Sequence, residues 1–146
     1  MKTKTSPARS RRRRATPRGL RELAELAAQA RLAAHAPFSR FKVGAALRTR
    51  TGEVVTGCNV ENASYGLTMC AERVAVFKAV SEGLREFDAV AVVADAPRLT
   101  APCGACRQIL WEFGGDLWVH IVDLQGHART VRMSELLPLP FDARNL

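Results

Sequence analysis

No run of 18 or more apolar residues occurs in this sequence, so it offers no segment that could cross a bilayer as a helix. The N-terminal charges have no apolar stretch behind them, so this segment is not expected to act as a secretory signal. Cysteine is scarce: the four present (Cys58, Cys70, Cys103 and Cys106) are too few for a disulfide scaffold in a chain of 146 residues. These absences lead us to expect a cytoplasmic protein whose clustered thiols are metal ligands or catalytic groups. The three histidines (His35, His120 and His127) are scattered and read as surface or ordinary packing residues. No internal repeat is present. Acidic residues are absent from the first 18 positions, which hold eight basic ones, Lys2, Lys4, Arg9, Arg11, Arg12, Arg13, Arg14 and Arg18. The remaining residues balance 14 basic against 14 acidic side chains, so the whole net charge of +8 sits in the tail. A role in binding nucleic acid would therefore rest on the tail alone, through salt-dependent phosphate contacts. The neutral remainder shows neither a basic stripe nor an RNA-binding motif, and a flexible, solvated tail is the preferred reading.

What is present suits one domain with a proper core, at 47% hydrophobic residues. Residues 1–15 cannot bury enough apolar surface to order and are expected to form a disordered basic tail. The domain is expected to span 16–146. Thr16 and Pro17 resemble an N-cap and a first-turn proline, and Leu20, Leu23, Ala24, Ala27 and Ala30 continue at helical spacing to about Leu32. Lys42 to Arg50 and Glu53 to Cys58 predict two strands joined by a turn at Thr51-Gly52. A helix is predicted from Ala71 to Glu82, stopped by Gly83, then a strand from Phe87 to Asp95 apolar enough to be buried on both faces. A helix from Gly104 to Phe113 and strands at Leu117 to Val122 and Arg129 to Arg132 complete the pattern. This order predicts an α/β fold, a three-layer α/β/α sandwich with a mixed five-stranded sheet.

The chemistry concentrates in Cys70-Ala71-Glu72 and Pro102-Cys103-Gly104-Ala105-Cys106. Cysteines three apart at a helix start can aim both sulfurs at one point, and Cys70 stands just before the other predicted helix. If the two N-termini converge, Cys70, Cys103 and Cys106 meet around one Zn²⁺, and a catalytic zinc keeps its fourth position for water. Three thiolates leave the site with surplus negative charge. Two helix N-termini oppose it, and Arg73 could donate to a ligand sulfur and offset more. Glu72 lies two residues from a ligand, placed to move protons without binding the metal. A lone Cys-x-x-Cys reads equally as a structural zinc half-site or a redox pair. Structural zinc wants four ligands, however, and Cys58, at a strand end, reads better as a small core residue.

Cys-Ala-Glu followed about thirty residues later by Pro-Cys-x-x-Cys is the zinc signature of the nucleobase deaminases. With it stand Phe41-Lys42-Val43-Gly44-Ala45-Ala46, Gly57-Cys58-Asn59-Val60-Glu61-Asn62-Ala63, and Arg73, Arg107 and Gln108 after the cysteines. As a set, from about Leu20 to Phe141, these segments closely resemble the small homotetrameric cytidine deaminases. Cysteine rather than histidine as the first ligand resembles the free-nucleoside branch. The resemblance implies one zinc per subunit and hydrolysis of cytidine or 2′-deoxycytidine to the uridine and ammonia. It implies that Asn59 and Glu61 bond the ribose 3′-hydroxyl, that Phe41 packs on the pyrimidine, and that Ala71 offers backbone polar groups to the base. It further implies a tetramer in which Ala63 and Tyr65 reach an adjacent ribose and Phe141 is lent to another subunit's base. Asn59 and Glu61 also read as plain loop-capping residues, and Phe41 as core. A deaminase of blasticidin S on the same scaffold is the rival within the class.

Overall fold

The computed structural model describes residues 16–146; the basic segment at 1–15 lies outside the described residues. Five strands, β1 (Val43–Thr49), β2 (Val54–Cys58), β3 (Phe87–Ala94), β4 (Trp118–Val122) and β5 (Ala128–Arg132), form one sheet in the order β2-β1-β3-β4-β5. β1 runs antiparallel to both β2 and β3, β3 and β4 are parallel, and β5 returns antiparallel. The parallel pair requires a crossover, which is helix α3 (Gly104–Gly114). The expected mixed sheet is therefore present.

Alternation along β3 explains the three layers. Val90, Val92 and Ala94 point into a core shared with helix α2 (Ala71–Ser81) and α3. Ala89, Ala91 and Val93 point into a second core against helix α1 (Leu20–Arg31), with Leu20, Leu23, Ala24 and Ala27 as its buried stripe. A strand buried on both faces accounts for the continuous apolar run in the sequence.

Two glycines set how closely the helices approach. A Cβ on Gly44 would lie 1.9 Å from the Ala27 carbonyl oxygen of α1, and one on Gly57 would lie 2.5 Å from that of Ala71 in α2. Only hydrogen fits at either point. Gly57 thereby seats the first turn of α2, the turn that bears Glu72.

The first helix begins later than its sequence suggests. Its N-cap is Gly19 at φ 74°, not Thr16. Arg48, paired with Asp88, also donates to the Arg18 carbonyl at 2.7 Å, which holds this stretch outside the helix. Short elements escaped the periodicity altogether: a 3₁₀ turn at Tyr65–Leu67, helix α4 (Met133–Leu136) and a 3₁₀ turn at Ala143–Asn145. A single turn is shorter than the repeat that would reveal it.

Gly57→Ala should lower unfolding stability by about 3 kcal/mol, because backbone rather than a movable side chain stands in the way. Gly66→Ala, with nothing within 4 Å, should stay within about 0.5 kcal/mol of wild type. Denaturant unfolding of both variants checks this, and equal effects would contradict the packing argument.

Candidate active site

Cys70 and Cys103 occupy equivalent places, each the N-cap of its helix with extended backbone. Cys106 follows one turn into α3 and is fully buried. α2 and α3 pack side by side, so the sulfurs of Cys70, Cys103 and Cys106 all lie within 4.8 Å of one another. They form the one such cluster of possible metal-binding side chains among the described residues. Cys58 is apart from it, half-buried at the end of edge strand β2 rather than in the core.

The spacing fits zinc. Metal–sulfur bonds of about 2.3 Å in a tetrahedron place sulfurs about 3.8 Å apart. Cys70 Sγ and Cys103 Sγ are 3.8 Å apart. Protonation tells the same story. The Cys106 thiol hydrogen-bonds Cys70 and, with Arg73 and Cys103, brings its pKa down to about 5. Cys106 is pushed strongly upward, because its proton is held in that bond and burial adds to the effect. One sulfur takes the charge and another keeps the proton; a bound dication is what lets all three ionise.

Glu72, in the first turn of α2, is 4% exposed. Burial, reinforced by the charge on Cys70, pushes its carboxyl up to about 7. A carboxyl in that range can both take and return a proton near neutral pH. Arg73 lies beside it, its Nη2 3.5 Å from Cys70 Sγ and 3.5 Å from the Thr68 carbonyl oxygen. Its Nε is buried without a partner, although the side chain as a whole is only partly buried.

The segment after β2 carries four of the other expected residues, Asn59, Glu61, Ala63 and Tyr65. Asn59 is buried, accepting from Val43 N at 2.8 Å and donating to the Phe41 carbonyl at 2.8 Å. Glu61 accepts from Phe38 N at 2.9 Å, Ser39 N at 3.2 Å and the Ser39 hydroxyl. Both thus brace the 38–43 segment, and Phe41 is exposed rather than core. Ala71, first residue of α2, is buried, and its N–H has no acceptor within the helix. Ala63 is exposed, Tyr65 is 76% exposed and Phe141 62%. The Phe141 carbonyl is held by Gln108 Nε2 of α3 at 2.8 Å, and Trp111 Nε1 donates to Asp142 at 2.9 Å.

Residues 18–121 match the family described as the cytidine and deoxycytidylate deaminase zinc-binding region. The chain belongs to this family. A cytidine deaminase of Halalkalibacterium halodurans is 54% identical over 121 residues, 82% of this chain and 92% of that one. A crystal structure of cytidine deaminase from Burkholderia pseudomallei aligns with a TM-score of 0.81 at 52% identity, covering 83% of this chain and 98% of the other. The blasticidin-S deaminase of Bacillus cereus is 32% identical over 111 residues, 70% of this chain and 79% of its own length. Membership makes this a zinc-binding deaminase fold, and the cysteine cluster is where the cation fits.

Sequence reasoning passed over Ser39 and gave Arg107 no role. Arg107 ties the Pro102 carbonyl, one residue before Cys103, to the Leu136 carbonyl at 2.7 and 2.8 Å. Its place beside the last cysteine was the available signal. Ser39 had none, because its partners are 22 residues away at Glu61.

Arg73→Ala should weaken zinc retention by roughly 10–100-fold, the usual effect of removing a group that bonds a metal ligand. Competition with a colorimetric chelator measures it. Retention equal to wild type would remove Arg73 from the charge balance.

Proposed function

We propose that this chain hydrolyses free cytidine and 2′-deoxycytidine to the corresponding uridines and ammonia. The observation that carries the reading is the buried Glu72 carboxyl in the same helical turn as a three-cysteine metal cluster. A structural zinc site has no use for such a neighbour. Zinc, held by Cys70, Cys103 and Cys106, supplies the Lewis acidity that makes water nucleophilic at neutral pH. Glu72 takes the proton of the water that attacks C4 and delivers it to N3. It then moves the remaining hydroxyl proton to the amine, which leaves as ammonia while the C4 carbonyl forms. Arg73 and the N-termini of α2 and α3 hold the sulfur charge in check.

Asn59 and Glu61 take the ribose 3′-hydroxyl, Phe41 packs on the pyrimidine, and the free N–H at Ala71 meets the base. The lower identity to the blasticidin-S enzyme agrees with a plain nucleoside as substrate. Tyr65, Leu67, Leu139 and Phe141 are large apolar side chains exposed to solvent in the single chain. We read this surface as covered in a homotetramer, where Ala63, Tyr65 and Phe141 complete neighbouring pockets. No described helix is long and apolar enough to cross a membrane, and a reducing cytoplasm suits three unpaired thiol ligands.

Glu72→Ala should keep its zinc yet lose roughly 10²–10⁴-fold in turnover, the usual share of general acid–base catalysis. Cytidine absorbance and metal content followed on one sample report both, and near-normal turnover would refute the assignment.

A further inference from the structure

Ser39 lies in a surface segment that also carries a strained residue. Arg40 sits at φ 57°, a left-handed conformation that disfavours any side chain with a Cβ, at roughly 1–2 kcal/mol. Hydrogen bonds around it hold the turn. Arg40 N donates to the Ala36 carbonyl at 3.0 Å, Phe41 N donates to Ser39 Oγ at 3.0 Å, and Asn59 holds the Phe41 carbonyl. Both polar backbone groups of Phe41 are thus fixed by side chains, one of them through Ser39.

The same hydroxyl reaches Glu61. Glu61 Oε2 accepts two backbone N–H groups, from Phe38 and Ser39, and its lone pairs are filled. Oε1 accepts the Ser39 hydroxyl and keeps one acceptor site. The Ser39 hydroxyl is also the largest of the effects that hold the Glu61 carboxyl below the usual range. A cavity of about 360 Å³ opens against this group, lined by Phe38, Ser39, Glu61, Tyr65 and Thr68. Of the two Glu61 oxygens, an alcohol entering there can donate only to Oε1, the one Ser39 aims.

We propose that Ser39 is a positioning residue, whose one hydroxyl fixes both the Glu61 oxygen that takes the sugar hydroxyl and the Phe41 backbone that carries the base-packing ring. This rests on the reading of Glu61 as the sugar contact. Ser39 itself touches neither the reacting atoms nor the metal. Its loss removes binding energy shared by ground and transition state, so it acts on KM rather than kcat.

The test measures kcat and KM of wild type, Ser39→Ala and Ser39→Thr on cytidine and 3′-deoxycytidine, with zinc content and thermal melting as controls. For Ser39→Ala, KM for cytidine should rise roughly tenfold, the value of a hydrogen bond to a charged group. Its kcat should change far less, and its KM for 3′-deoxycytidine should rise by a clearly smaller factor, because the hydroxyl that Oε1 receives is gone and only the support of Phe41 is lost. Ser39→Thr, which keeps the hydroxyl, should recover wild-type KM. An equal rise on both nucleosides marks a merely structural serine and overturns the proposal, as does no rise on cytidine. A wild-type chain that does not distinguish the two nucleosides overturns the sugar reading of Glu61 and this proposal with it. Absence of turnover by wild type overturns the deaminase reading itself.

Discussion

Three sulfurs crowded within 4.8 Å cannot all carry charge unless a cation sits among them. The structure gives the shape of that constraint: Cys70 is drawn down to about 5 chiefly because Cys106 keeps its proton, with Arg73 and Cys103 adding to the effect. Much of the architecture serves to bring these groups together and to manage their charge. Two helices begin at the cluster, with Cys70 and Cys103 as their N-caps, so the positive ends of both helix dipoles lie at the sulfurs. Gly57 seats one helix, Arg107 secures the lead-in to the other, and Arg73 reaches Cys70 Sγ. The same crowding serves Glu72. Burial raises its pKa, and the charge on Cys70 raises it further, toward the range where a carboxyl exchanges protons at neutral pH.

Around this centre lies a second layer of polar organisation. Asn59 and Glu61 brace the 38–43 segment, and in the proposed reaction they also meet the sugar. These two tasks are compatible, since Glu61 keeps an acceptor site after bracing the loop and an amide nitrogen has a second proton to donate. A residue that looks like a loop cap can therefore also be a substrate contact. The loop is rigid because the contact groups hold it, and the contact groups are oriented because the loop holds them.

The elements with many buried residues were legible in the sequence. β3 declared itself through an unbroken apolar run, and α1 through its stripe from Leu20 to Ala27. The metal cluster was legible because Cys-x-x-Cys fixes two sulfurs locally, and the helix start at Cys70 supplied the third. The start of α1 was misjudged, since the Arg48 contact that holds Arg18 is a long-range event with no local signature. α4 and the two 3₁₀ turns are single turns, below the length at which a period appears. Ser39 was invisible for the same reason as the Arg48 contact: its partner is distant in sequence, and serine in a loop is unremarkable until the fold brings Glu61 to it.

The most direct test of the account is a titration. Protein stripped of metal by a chelator is given zinc in steps, with bound zinc and cytidine turnover measured at each step. Turnover should rise in proportion to bound zinc and level off at one zinc per chain. Full turnover without metal, or one zinc bound per chain with no conversion of cytidine, would contradict the claim that the three cysteines and Glu72 form one catalytic centre.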